Sequence, residues 1–176
     1  MNSLMEIAKN KRIIFLGTPD FAVSALSALF EAGYNIVAVV SQPDRPQGRK
    51  QILKATPVSA YAKKNDLKIM QADSINDKQT ISKLKALEPD LIITAAYGQI
   101  LRQKVLDIPK FGCLNIHASL LPLYRGAAPI NAAIIDGQEE SGITIMQMDS
   151  GCDTGDILFQ AKVEITKTMN AGDLFA

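Results

Sequence analysis

Residues 12–40 read RIIFLGTPDFAVSALSALFEAGYNIVAVV, and the fold turns on this stretch. Arg12 to Leu16 (RIIFL) is a short apolar run that stops at Gly17, the pattern of a buried strand. From Phe21 to Glu31 the apolar residues fall at helical spacing: Phe21, Ala25 and Leu29 on one row, Ala22 and Leu26 on the next. Asp20 stands where an N-cap belongs, and Gly33 lies just past the end. Asn35 to Val40 (NIVAVV) is a second run, rich in β-branched residues.

The alternation continues outward. Helix is expected from Pro57 to Asn65 and from Asn76 to Leu87, with a short strand at Lys68 to Met70 between them. Asp90 to Ala95 (DLIITA) and Gly112 to His117 (GCLNIH) read as strands, and Ala128 to Ile135 as a short helix closed by Gly137. Two late strands, Gly142 to Met148 and Ile157 to Ile165, flank a Gly-rich turn and can pair antiparallel. Ser41 to Lys54 carries Pro43, Pro46 and Gly48 and is expected to be neither strand nor regular helix. Strands alternating with helices imply an α/β fold: a doubly wound, mostly parallel sheet with helices on both faces. Crossovers are then right-handed, and the ligand crevice lies beyond the carboxyl ends of the strands. That places the turn after Leu16, the Tyr97 loop and the stretch after His117 near one mouth. Asn170 to Ala176 (NAGDLFA) opens a helix, with Asn170 or Asp173 as cap, and the chain stops there. The expectation is one domain over residues 1–176, cut from a longer protein.

Composition narrows the classes of function. The 176 residues carry 19 Lys plus Arg against 18 Asp plus Glu, a net charge of +1. This excludes a globally basic nucleic-acid coat and an acidic tail, though not a local basic patch. Cys113 and Cys152 form no CxxC, so neither a disulfide framework nor a Cys-rich zinc site is indicated. With 1 histidine there is no His-rich metal site, and imidazole chemistry falls to His117. No apolar stretch approaches the ~20 residues that span a bilayer. The opening MNSLMEIAKN lacks the apolar core of a signal peptide and reads as a short frayed extension. Unpaired cysteines and no export signal point to the cytoplasm.

Several segments can carry chemistry. Asn115 and His117 alternate along one strand, so their side chains project together, with Ser119 just beyond. Asn offers an N–H to a developing oxyanion and His an acid or base. Taken alone, such a pair is more often that of a hydrogen-bonded core. Ser119 to Asn131 (SLLPLYRGAAPIN) is a loop leading to a helix, with Pro129 near its start. Asp149 to Asp156 (DSGCDTGD) puts three carboxylates among glycines between strands. It lacks EF-hand spacing and the closing Glu, which leaves a tight turn or an Asp that orients His117. Gly17 to Asp20 (GTPD) follows a strand, but GxGxxG is absent, and so is a Walker A sequence; no nucleotide cofactor is indicated. Arg45, Arg49, Lys50 and Lys54 gather positive charge on a Pro- and Gly-containing segment, either a solvated loop or a phosphate contact.

Together, NIHASLLPLYRGAAPINAAI (Asn115 to Ile134) and SGITIMQMDSGCDTGDIL (Ser141 to Leu158) closely resemble the methionyl-tRNA formyltransferases. FLGTPDFAV (Phe15 to Val23), SQPDRPQGRK (Ser41 to Lys50) and ITAAYGQIL (Ile93 to Leu101) extend the resemblance across nearly the whole chain. The Asn-x-His, SLLP and DxGxDTGD elements are shared with formyltransferases acting on glycinamide ribonucleotide, sugar nucleotides and formyltetrahydrofolate. RGAAPIN, TIMQMD and the QPDRPxGR segment favour the tRNA enzymes. The resemblance implies a Rossmann-like formyltransferase domain. It implies formyl transfer from 10-formyltetrahydrofolate, a co-substrate, to methionyl-initiator tRNA, without metal or nucleotide cofactor. Carried over by position, the catalytic trio is Asn115, His117 and Asp153. Folate contacts fall on Tyr97, Gly98, Gln99, Ile100, Leu101, Ser119, Leu120, Leu121, Pro122 and Asp149. The tRNA contacts fall on Arg45, Arg49 and Lys50, in a loop expected to be exposed and poorly ordered without tRNA. The expected partners are tRNA and folate, with no membrane, and the expected state is a monomer. The family continues into a C-terminal β-barrel that is not in this sequence. The alternatives are a formyltransferase for an amino-sugar nucleotide or other small amine, and a non-catalytic folate-binding module.

Overall fold

The computed structural model describes residues 8–47 and 51–175. Arg49 and Lys50, and most of the N-terminal extension, lie outside the described residues. The chain groups into two compact units, Met1–Cys113 and Leu114–Ala176.

In the first unit, β1 (Ile13–Gly17), β2 (Ile36–Ser41), β5 (Ile69–Gln71) and β6 (Leu91–Ala95) run parallel in the order β5-β2-β1-β6. β1 is buried at every position, and Ile14, Phe15 and Leu16 have no exposed surface. A strand covered on both faces has no use for polar alternation, which is why RIIFL reads as an unbroken apolar run. The helices of this unit are α1 (Asp20–Glu31), α2 (Pro57–Lys64), α3 (Lys78–Lys85) and α4 (Gln103–Leu106). α1 buries Ala22 and Leu26, α2 buries Val58 and Ala62, and the two pack on each other and on the sheet. Gly17 permits the close approach of α1: a Cβ there would lie 2.6 Å from the Ala22 Cβ. That is a packing reason for a glycine after β1, with no phosphate involved.

Three expectations change here. Pro19, extended at φ −82°, is the residue before α1, and Asp20 is its first helical residue without a side-chain cap bond. Asp20 still favours the helix start, through the macrodipole. α4, a single turn, was not expected. The polar stretch after β2 contains a small hairpin, β3 (Arg45–Gln47) against β4 (Ile52–Lys54). Pro46 is tolerated because a two-stranded ribbon leaves one edge of each strand unbonded.

α2 begins with Pro57 at its first position and Thr56 as N-cap, whose Oγ1 accepts the Ser59 N–H at 3.1 Å. The same oxygen lies 2.6 Å from the hydroxyl of fully buried Ser41. Thr56→Ala therefore removes a cap and strands a buried hydroxyl. The expected loss is about 2 kcal/mol of unfolding free energy. Thr56→Ser, which keeps the oxygen, recovers most of it, as read from denaturant midpoints.

The second unit holds β8 (Glu140–Gln147) and β9 (Ile157–Glu164), antiparallel along their length, with β7 (Cys113–His117) antiparallel on the other side of β8. Its helices are α5 (Pro129–Ile135) and α6 (Ala171–Phe175), which touch. Asn170 caps α6 by accepting the Gly172 and Asp173 N–H groups, while Asp173 accepts the Asn170 N–H, a reciprocal capping box. Both candidate caps thus take part.

Candidate active site

β7 carries Asn115 and His117 at its carboxyl end on one face, opposite Met146 and Thr144 of β8. The DSGCDTGD turn links β8 to β9 and is braced from within. Asp149 Oδ1 accepts the Gly151 N–H at 2.9 Å and the Thr154 hydroxyl at 2.8 Å. A Cβ on Gly151 would collide with Thr154 Oγ1, and one on Gly155 with the Gln147 carbonyl. Both glycines are therefore demanded by space. Asp153 sits at the crest in the left-handed region, φ +51°, a conformation that costs a non-glycine residue roughly 1–3 kcal/mol.

That conformation brings the Asp153 carboxylate to Asn115 and His117. Asn115 Nδ2 donates to Oδ1 at 3.1 Å, the Gly126 N–H donates to Oδ2 at 2.9 Å, and His117 Nδ1 lies 3.5 Å from Oδ2. His117 Nε2 lies 2.9 Å from the Tyr124 carbonyl. A carbonyl only accepts, so Nε2 carries the proton. Nδ1 then presents its lone pair on the side of Asp153, at a distance too long for a strong hydrogen bond. The imidazole is buried. The cluster can give an N–H to a developing negative oxygen and hold a proton beside it.

The Tyr124 carbonyl and Gly126 N–H belong to the loop after β7, which is pinned to the sheet. Thr144 Oγ1 donates to the Ser119 carbonyl at 2.7 Å and accepts the Leu121 N–H at 3.0 Å and Gln160 Nε2 at 2.9 Å, using its full bonding capacity. Ser119 is buried and donates to the Leu123 carbonyl at 2.7 Å. Leu121 is buried, Leu120 half-buried and Pro122 exposed. Thr144, Gln160 and Tyr124 were not singled out in the sequence, where Gly126 reads as a residue that shapes the loop; Tyr124 and Gly126 act through backbone atoms.

In the first unit, the Tyr97–Leu101 segment is held by its own polar groups. The Tyr97 carbonyl accepts Thr18 Oγ1 at 2.8 Å and Gln42 Nε2 at 3.3 Å. Gln99 donates to the Asp73 carbonyl at 3.1 Å and accepts the Ile75 N–H at 2.8 Å. The Tyr97 ring is buried, its hydroxyl has no hydrogen-bond partner among the described residues, and burial pushes the phenol up to about 12. Gly98, at φ +92°, and Ile100 are exposed, while Leu101 is buried. Arg45 is exposed on β3, paired across to Lys54. Asp44, just before it, accepts Gln71 Nε2 at 2.6 Å and the Thr56 N–H at 3.3 Å, with Lys63 at 3.5 Å. These partners, the Gln71 bond foremost, hold its carboxyl below the usual range.

Both cysteines are free; burial, with the Asp107 charge, pushes the Cys113 thiol up to about 12. Among the described residues no group of three His, Cys, Asp or Glu side chains could share a metal ion. None of their helices is long and apolar enough to cross a membrane.

Known proteins share this arrangement of sequence and fold. The chain is 52% identical over 164 residues to the methionyl-tRNA formyltransferase of Bacillus thuringiensis subsp. konkukian, covering 93% of the chain and 52% of that protein. It is 50% identical over 163 residues to that of Acetivibrio thermocellus, with 93% and 52% covered. The chain thus spans about half the length of the curated relatives it matches. The crystal structure of phosphoribosylglycinamide formyltransferase from Bacillus halodurans superposes with a TM-score of 0.75 at 23% identity, covering 93% of this chain and 85% of that one. At that identity the likeness speaks for the fold, which is the mostly parallel α/β class expected from the sequence. A formyl transferase sequence profile matches residues 11–176, and the chain belongs to the formyl transferase family.

Proposed function

We propose that the chain transfers a formyl group from 10-formyltetrahydrofolate to the α-amino group of methionyl-initiator tRNA, in the cytoplasm. The observation that carries this reading is the 52% identity to a methionyl-tRNA formyltransferase over 93% of the chain. The chemistry suits the side chains around Asp153. The neutral amine attacks the formyl carbon, and its new C–N bond leaves negative charge on the formyl oxygen. Asn115, with one amide hydrogen given to Asp153, offers the other to that oxygen. His117 takes the amine's proton at Nδ1, and the imidazolium is steadied by Asp153. The tetrahedral centre collapses by breaking the bond to the folate nitrogen, which leaves with the proton from His117. No covalent enzyme intermediate is required.

In this reading Tyr97 to Leu101, Ser119 to Pro122 and Asp149 serve folate. The first of these segments suits the role because Gly98 exposes backbone beside the exposed apolar side chain of Ile100, a polar edge and an apolar wall for a pterin ring. Arg45, with Arg49 and Lys50, meets tRNA phosphates, a contact that weakens as salt displaces it. An acceptor screen with one formyl-folate co-substrate tests the proposal. Methionyl-tRNA is expected to exceed glycinamide ribonucleotide and amino-sugar nucleotides by about 10²-fold or more in kcat/KM. A preference for either small amine, or folate binding without transfer to any acceptor, overturns it.

A further inference from the structure

We propose that Tyr124 and Asp136 form a tether that fixes the tautomer of His117, making them positioning residues for its proton transfer. The Tyr124 carbonyl receives the His117 Nε2 proton at 2.9 Å, and the hydroxyl at the other end of the same residue donates to Asp136 Oδ2 at 2.9 Å. Tyr124 holds φ +57°, a left-handed conformation that a side chain with a Cβ adopts at a cost and that surrounding contacts must enforce. The bond to Asp136 is such a contact.

Asp136 is oddly placed for any other purpose. It is the C-cap of α5, where the helix macrodipole disfavours a carboxylate. Helix stability does not explain an acid there, whereas the tether does. A phenol is protonated at neutral pH and so can donate, and partial burial and the Asp136 bond raise it further above its ordinary value.

The consequence reaches the imidazole because two acceptors compete for its single proton. With the Tyr124 carbonyl in place, the proton sits on Nε2 and the lone pair of Nδ1 faces Asp153 and Asn115. If the carbonyl withdraws, Asp153 Oδ2, 3.5 Å from Nδ1, becomes the better acceptor. The proton then moves to Nδ1, and the lone pair turns to the loop, away from the Asn115 amide. Asp153 and Asp136 are thus the charged groups that bear on the ring, one directly and one through Tyr124.

The inference about the tautomer stands on geometry; its effect on turnover rests on the formyl-transfer reading. His117 is the 1 histidine of the chain, so imidazole nitrogen-15 labelling gives one unambiguous ring by NMR. At a pH where the ring is neutral, the wild type is expected to show the protonated nitrogen at Nε2. Tyr124→Phe and Asp136→Ala each shift the ratio toward Nδ1–H by about fivefold, the scale of one neutral hydrogen bond. Asp136→Asn retains an acceptor oxygen and the wild-type ratio. A wild type already in the Nδ1–H form overturns the proposal, as does an unchanged ratio in both tether variants with native amide spectra. In formyl transfer the two variants lose kcat at unchanged KM for the folate. A shifted tautomer with unchanged kcat leaves the tether standing and refutes the role given to His117.

Discussion

His117→Ala lowers formyl transfer by about 10²-fold or more, the usual loss when a positioned acid or base is removed. The imidazole is the chain's 1 histidine ring, so no other can substitute. It is buried, with the Tyr124 carbonyl bonded to Nε2 and the Asp153 carboxylate 3.5 Å from Nδ1. Alanine leaves the Tyr124 carbonyl and Asp153 without this partner, but Asp153 keeps its bonds from Asn115 and Gly126, so the turn survives. The loss should fall on kcat, with folate affinity and the circular dichroism spectrum unchanged. Near-normal turnover in a folded variant contradicts the assignment.

Gly155→Ala is expected to lower turnover by about 10²-fold as well, without touching any group that bears charge. The alanine methyl would strike the Gln147 carbonyl. Gln147 is tied to the turn through its own N–H, which donates to the Asp156 carbonyl at 2.9 Å. The turn must therefore shift, and Asp153 shifts with it. A displacement of about 1 Å at a reacting geometry costs roughly two orders of magnitude. Overpacking of this kind also costs roughly 1–3 kcal/mol of stability. Measured together, kcat and the denaturant midpoint separate the two effects. Wild-type values of both would mean that the turn absorbs the methyl without moving Asp153.

How far the sequence reaches is plain at these two residues. The alternation of Asn115 and His117 on one strand is visible as spacing, and the crowding at the Asp149–Asp156 turn as its two glycines. β1 and the face of α1 are legible for the same reason: burial leaves a period in the apolar residues. What stays illegible acts through atoms every residue has. The Tyr124 carbonyl and Gly126 N–H complete the surroundings of His117 and Asp153, and the letters mark neither contact, although a glycine at 126 reads as shaping the loop. Thr144 joins three partners through one oxygen, yet on β8 it reads as one more β-branched residue. The β3–β4 hairpin was missed because proline and glycine argue against strands in general, while a ribbon of three residues on each side has edges to spare. Pro19 displaced Asp20 as the residue before α1 because its extended backbone already sets the entry to the helix.

The parallel pairing of β1 with β6 sets a timetable for the chain as it is made. Ile13 pairs with Leu91 and Gly17 with Ala95, so β1 must wait for a partner far down the chain. At ~5–20 residues per second of synthesis, that wait is roughly 4–16 s. β2 arrives sooner, with Leu16 meeting Val40, but covers only one edge. β9 follows β8 directly, so the hairpin that displays Asp153 closes soon after its second strand is made. Ile14, Phe15 and Leu16, sealed from water in the finished fold, are thus the nascent chain's longest-waiting apolar segment and the place where a chaperone has most to protect.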